Sequence, residues 1–72
     1  MITSQQTGLI AEAYVVAYAS ECGVKTPDDV RKALEMLISK SALAIKKHAG
    51  PLEAVQVLQR TQLHVAPPGG QA

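Results

Sequence analysis

The sequence predicts an all-α fold: a three-helix bundle over about residues 3–22, 27–48 and 51–65, completed by association with further copies of the chain. Three observations lead there. Apolar residues make up 47% of the 72 and recur at helical spacing. Helix start and stop signals divide the chain twice, at Gly23 to Pro27 and at Gly50-Pro51. Finally, there is no Phe and no Trp, so any core must be assembled from Ala, Leu, Val and Ile. A chain of this length with so little bulk stands near the lower limit for an independent core. Cys22 is the single cysteine, which excludes an internal disulfide and a cysteine-bound metal site. Packing against a second chain remains as the source of stability.

The first helix opens with Thr3-Ser4-Gln5-Gln6, a capping box in which the Thr3 hydroxyl and the Gln6 side chain each satisfy the other's backbone N–H. It ends at Gly23, a residue able to take the left-handed conformation that closes a helix, and Gly8 weakens its first turns. The second helix has Thr26 as N-cap, Pro27 at the first helical position, and Asp28 and Asp29 where the helix dipole favours negative charge. Lys46, Lys47 and His48 place cations in its last turn, ahead of Gly50. Pro51 and Glu53 then open a third helix with almost no linker. Residues 1–65 are therefore read as one helical domain. Residues 66–72, with two prolines, two glycines and no apolar period, read as a disordered tail.

The helical faces differ in kind. In the second helix Val30, Ala33, Leu34, Leu37, Ile38, Ser41, Ala44, Ile45 and His48 form one core-facing stripe, while Met36 and Leu43 stand off it as a contact ridge. The third helix offers Ala54, Val55, Leu58, Thr61, Gln62 and Val65, a half-polar stripe with Val57 at its margin. The first helix is apolar on two sides: Leu9, Ile10, Ala13, Val16 and Ala17 line one, and Ala11, Tyr14, Val15, Tyr18 and Cys22 much of the rest. A helix apolar nearly all round is buried nearly all round, and two other helices do not suffice to cover it. Leu9, Ala11, Ala13, Tyr14, Val15, Ala17 and Tyr18 are thus the expected self-association residues, with Ala13 and Ala17 allowing a close crossing.

The net charge of +1 conceals an asymmetry. Residues 1–29 carry four carboxylates against Lys25, a balance of −3, whereas residues 30–72 carry six Lys/Arg against Glu35 and Glu53, a balance of +4. Such polarity can orient contacts between chains but is weak for a dedicated nucleic-acid binder. The longest near-apolar run, residues 9–19, contains Glu12 and falls far short of the roughly 20 residues that cross a bilayer. The amino terminus lacks the basic-then-apolar order of a secretion signal, and a lone cysteine suits a reducing compartment, so a cytoplasmic location is expected.

No residue set specifies a reaction: there is no glycine-rich phosphate loop, no nucleophile with its base and no paired carboxylates, so neither catalysis nor a cofactor is expected. His48 and His64 lie on different helices without further ligands at metal spacing, and no metal is expected. Glu12 among apolar residues could act as a perturbed carboxylate, but a rim position paired with a lysine is the simpler reading. Tyr14 and Tyr18, four apart, could stack a planar ligand or anchor a partner; equally, they are the largest filling material the chain has.

These observations favour a small homo-oligomeric protein-binding module, an adaptor, inhibitor or regulatory accessory protein, that contacts its partner through Tyr14, Tyr18, Met36, Leu43, Lys47 and Arg60. Two other classes follow from the same residues. Clefts between subunits, lined by the tyrosines and by Lys or Arg, could hold a small anionic ligand such as a nucleotide. Helices two and three, joined by a short glycine-containing turn, could form a helix-turn-helix DNA-binding regulator, although the third helix presents Arg60 as its one strong outward cation.

Overall fold

Three α-helices follow one another in the computed structural model, which describes residues 1–69: α1 (Ser4–Glu21), α2 (Pro27–Ala49) and α3 (Pro51–Val65). No strand occurs among the described residues. The all-α, three-helix expectation holds, and each boundary falls within a residue or so of where the capping signals put it. Of the expected tail, Ala66 closes α3 by donating its N–H to the Gln62 carbonyl at 2.9 Å, and the chain turns at Gly69. Gly70, Gln71 and Ala72 lie outside the described residues.

The caps form as their chemistry requires. Thr3 Oγ1 accepts from the Gln6 N–H at 3.1 Å while Gln6 Oε1 accepts from the Thr3 N–H at 3.1 Å, so two donors left over at the start of α1 are satisfied reciprocally. At the other end Gly23 has φ +71°, and its N–H donates to Ser20 O at 3.1 Å, with the Val24 N–H reaching back to Ala19 O at 3.5 Å. That pair of bonds is a Schellman closure, which needs a residue in the left-handed region. Thr26 caps α2 by accepting from the Asp29 N–H at 3.1 Å, and the Asp29 carboxylate accepts in turn from the Lys25 N–H at 3.1 Å.

Gly50 serves both neighbouring helices. Its N–H donates to Lys46 O at 3.0 Å, closing α2, and its carbonyl accepts from the Ala54 N–H at 3.2 Å, opening α3. It does so at φ +97°, ψ 161°, a region that is essentially restricted to glycine. Pro51 at the next position then supplies the φ of a first helical turn and has no N–H to satisfy.

The chain divides into two compact units, residues 1–37 and residues 38 onward, with the division falling inside α2. In the first unit α1 lies against the amino-terminal part of α2. Tyr18 and Ala19 of α1 and Ala33, Leu34 and Leu37 of α2 are half-buried there, and Tyr18 Oη donates to the Ala33 carbonyl at 2.8 Å. In the second unit the carboxy-terminal part of α2 and α3 meet along Ala42, Ile45, Glu53, Ala54 and Val57, and Ala54 is the single buried residue among those described.

Both seams differ from the expected stripes. Ala42, outside the expected α2 stripe, is covered, whereas Ile38, Ser41, Ala44 and His48, inside it, are exposed. On α3, Val57 belongs to the seam, while Val55, Leu58, Thr61, Gln62 and Val65 are exposed. The physical reason is the distance of approach. Helices come closest where side chains are small, so Ala42 and Ala54 occupy the contact and larger residues stand beside it.

The two glycines at opposite ends of this scheme should respond in opposite senses to alanine. Gly8, inside α1, has open space where a Cβ would stand, so Gly8→Ala should raise stability by about 1 kcal/mol through helix propensity. Gly50 also has open space, but its backbone conformation should make Gly50→Ala cost about 1–3 kcal/mol. Denaturant unfolding followed by circular dichroism, at one fixed protein concentration, measures both.

Candidate interaction surfaces

One face of α1 is turned toward α2 and the other is open. At 3.6 residues per turn, Leu9, Ile10, Ala13, Val16 and Ala17 share the side opposite Ala11, Tyr18 and Cys22. All five are exposed, with Leu9 at 62% and Val16 at 70%. Glu12 falls on one margin of this face and Glu21 on the other, and α1 contains no Lys or Arg. A contiguous apolar stripe rimmed by carboxylates is the pattern of a helix that packs on both sides.

The residues expected to drive self-association therefore separate into two groups. Leu9, Ala13 and Ala17 stand on the open face, and Tyr14 at its edge is 72% exposed. Ala11 and Val15 are exposed at the border of the seam, and Tyr18 spends its hydroxyl within the chain on Ala33. Partial burial of Tyr18, together with the Cys22 thiol beside it, raises its phenol above the ordinary value. Cys22 itself is a free, exposed thiol rather than the small buried group expected at a helix stop.

A shallow cleft of about 430 Å³ in the first unit is bordered by Tyr14, Ala17, Tyr18, Glu21 and Leu37. It brings both tyrosines together, as a ligand site would require. Its charged member is the Glu21 carboxylate, which disfavours an anion there.

In the second unit a groove of about 470 Å³ runs between α2 and α3, with Ile38, Ala42 and Leu43 on one wall and Pro51, Ala54, Val55 and Leu58 on the other. Ser39 and Lys46 are its polar lining residues, and Lys46 its one charge. Sequence reasoning missed this groove because it assigned Ile38, Val55 and Leu58 to the core and Lys46 to helix capping. The signal that could have found it is the half-polar α3 stripe, which no fully buried helix face tolerates. Of the other expected contact residues, Met36 is exposed in the first unit and Leu43 lines the groove in the second.

Three of the seven Lys and Arg residues are paired within the chain. Arg31 bonds Asp28 at 3.2 Å and Glu35 at 2.7 Å, Lys32 reaches Asp28 at 3.3 Å, and Arg60 bonds Glu53 at 3.2 Å. These are exposed pairs of small individual weight, and they occupy three of the groups that a phosphate backbone would need. Lys46 and Lys47 make no ion pair among the described residues. No group of three or more His, Cys, Asp or Glu placed to hold a metal ion occurs among them, and no helix is long and apolar enough to cross a membrane.

Neither a protein-family model, nor a curated protein, nor a solved structure matches the chain.

The Tyr18 contact makes a pH-dependent prediction. The native state holds the phenol proton more tightly than the unfolded chain does, so stability is fully present below about pH 10 and falls as pH rises through the raised native value. Tyr18→Phe should unfold at a lower temperature at neutral pH and should lose this alkaline component. Thermal melts of both proteins between pH 8 and roughly pH 11 check it; superimposed curves would show that the hydroxyl contributes nothing.

Proposed function

We propose that the chain is a self-associating helical module of the cytoplasm that acts by binding protein, as an adaptor or regulatory subunit without catalysis. One observation carries this reading: the open face of α1, where Leu9, Ile10, Ala13, Val16 and Ala17 are presented together to solvent. Ordering a helix costs backbone entropy at every residue, and a short helix gains most of its stability from burying an apolar face. A seam that half-buries Tyr18 and Ala19 leaves the remaining apolar surface of α1 as driving force for association. The exposed Met36, off this face, is available to a second protein once copies have associated.

Two further observations weigh for protein over nucleotide or nucleic acid. The cleft that joins the tyrosines carries a carboxylate, and Arg31, Lys32 and Arg60 already have carboxylate partners.

Sedimentation equilibrium across low micromolar concentrations tests the reading. The expected mass is a multiple of 7.6 kDa, and Val16→Asp should shift the population toward the single chain. A stable, folded, helical monomer over the whole range overturns it. Thermal-shift measurements with nucleotides and duplex DNA should show no change; a ligand bound solely by the native state must raise the melting temperature, so a concentration-dependent rise would move the assignment to that ligand.

A further inference from the structure

We infer that the groove between α2 and α3 receives the open face of α1 from a second copy of the chain. This inference rests on the self-association reading and adds to it which surface meets which. Apolar surface alone does not choose a partner; charge and shape make the choice here.

The shapes are complementary in kind. Each wall of the groove combines a covered small residue, Ala42 or Ala54, with an exposed larger one, Leu43 or Leu58. The open side of α1 is convex and has large groups, Leu9 and Val16, around the small Ala13. A ridge of branched side chains set between walls that are small at their base is how two helices accept a third. Two α1 faces brought together, or two grooves, lack this ridge-to-groove relation.

The charges make the same choice. The open face of α1 is rimmed by Glu12 and Glu21 with no cation on the helix. The described residues from 38 onward hold Lys40, Lys46, Lys47 and Arg60 against Glu53, and Lys46 lies in the groove itself. An α1 face meeting another α1 face would set carboxylate against carboxylate, and a groove meeting a groove would oppose Lys46 to Lys46. Like charges facing across an interface disfavour it, whereas α1 in the groove sets Glu12 or Glu21 near Lys46.

A contact between two different surfaces allows complementation, which a contact of a surface with itself does not. Val16→Asp spoils the α1 face and leaves the groove intact; Leu58→Asp spoils the groove and leaves the α1 face intact. Both positions are exposed in the single chain, so the substitutions add no buried charge there. Each variant alone should associate about tenfold more weakly or worse than the parent, as expected when a charge replaces a contacting apolar group. Mixed in equal amounts, the two should regain association, because Val16→Asp groove and Leu58→Asp α1 form one intact contact. Sedimentation velocity with one variant fluorescently labelled reads this out, and circular dichroism records helix content in parallel. Should either variant lose its helices, the charge pair replaces it. Lys46→Glu and a Glu12→Lys, Glu21→Lys double variant should each weaken association, and mixing them should restore it.

The outcomes are distinct. A monomeric parent overturns the self-association reading and this pairing with it. An associating parent whose variants are not rescued by mixing, in both sets, overturns the pairing alone. Rescue in either set supports it.

Discussion

Everything in this structure follows from the scarcity of large side chains. Helices that meet through alanine can approach closely, and Ala42 and Ala54 let α2 and α3 do so, but such a seam removes little apolar surface from water. Ala54 is the one buried residue among those described. Apart from Leu34, Leu37 and Val57, the leucines and valines of the helices, which in a larger domain would fill the centre, stand exposed. The same scarcity therefore accounts for thin seams and for the apolar surface beside them.

Local order compensates in part. Five of the six helix ends are specified by backbone chemistry rather than by packing: the Thr3/Gln6 box and the Gly23 closure for α1, Thr26 with Asp29 for α2, and Gly50-Pro51 for the joint. Each such device satisfies groups that would otherwise be left to water. The exposed i,i+3 and i,i+4 pairs of Arg31 and Lys32 add small increments to the first turns of α2. Helices held in this way keep their direction even where little covers them.

This division explains what could be read from the sequence. Boundaries were legible because capping depends on residue identity at fixed offsets: a proline after a threonine or a glycine has few other meanings. The two apolar sides of α1 were legible from periodicity alone. Periodicity could not say which side would turn to α2, since both are apolar, and it gave the wrong seam on α3. Pattern reading treats the larger residues as core, so Val55 and Leu58 were placed inside and Val57 at the margin; the seam instead formed where Ala54 allowed contact. Cys22 misled for a related reason, because a small hydrophobe is assigned to a core that here hardly exists. The groove was invisible for the same cause, since its walls had already been assigned to the interior.

The hydroxyl of Tyr18 and the carbonyl it meets are 15 residues apart in the chain, and α3 follows α2 after a single residue. Each compact unit thus joins segments that are neighbours in sequence. Such connections close short loops, which cost little chain entropy and form in well under a millisecond. The topology contains no slow step. Beyond proline isomerisation, which is independent of concentration, a refolding phase slower than that would have to arise where one chain meets another, and its rate would then depend on how many chains are present.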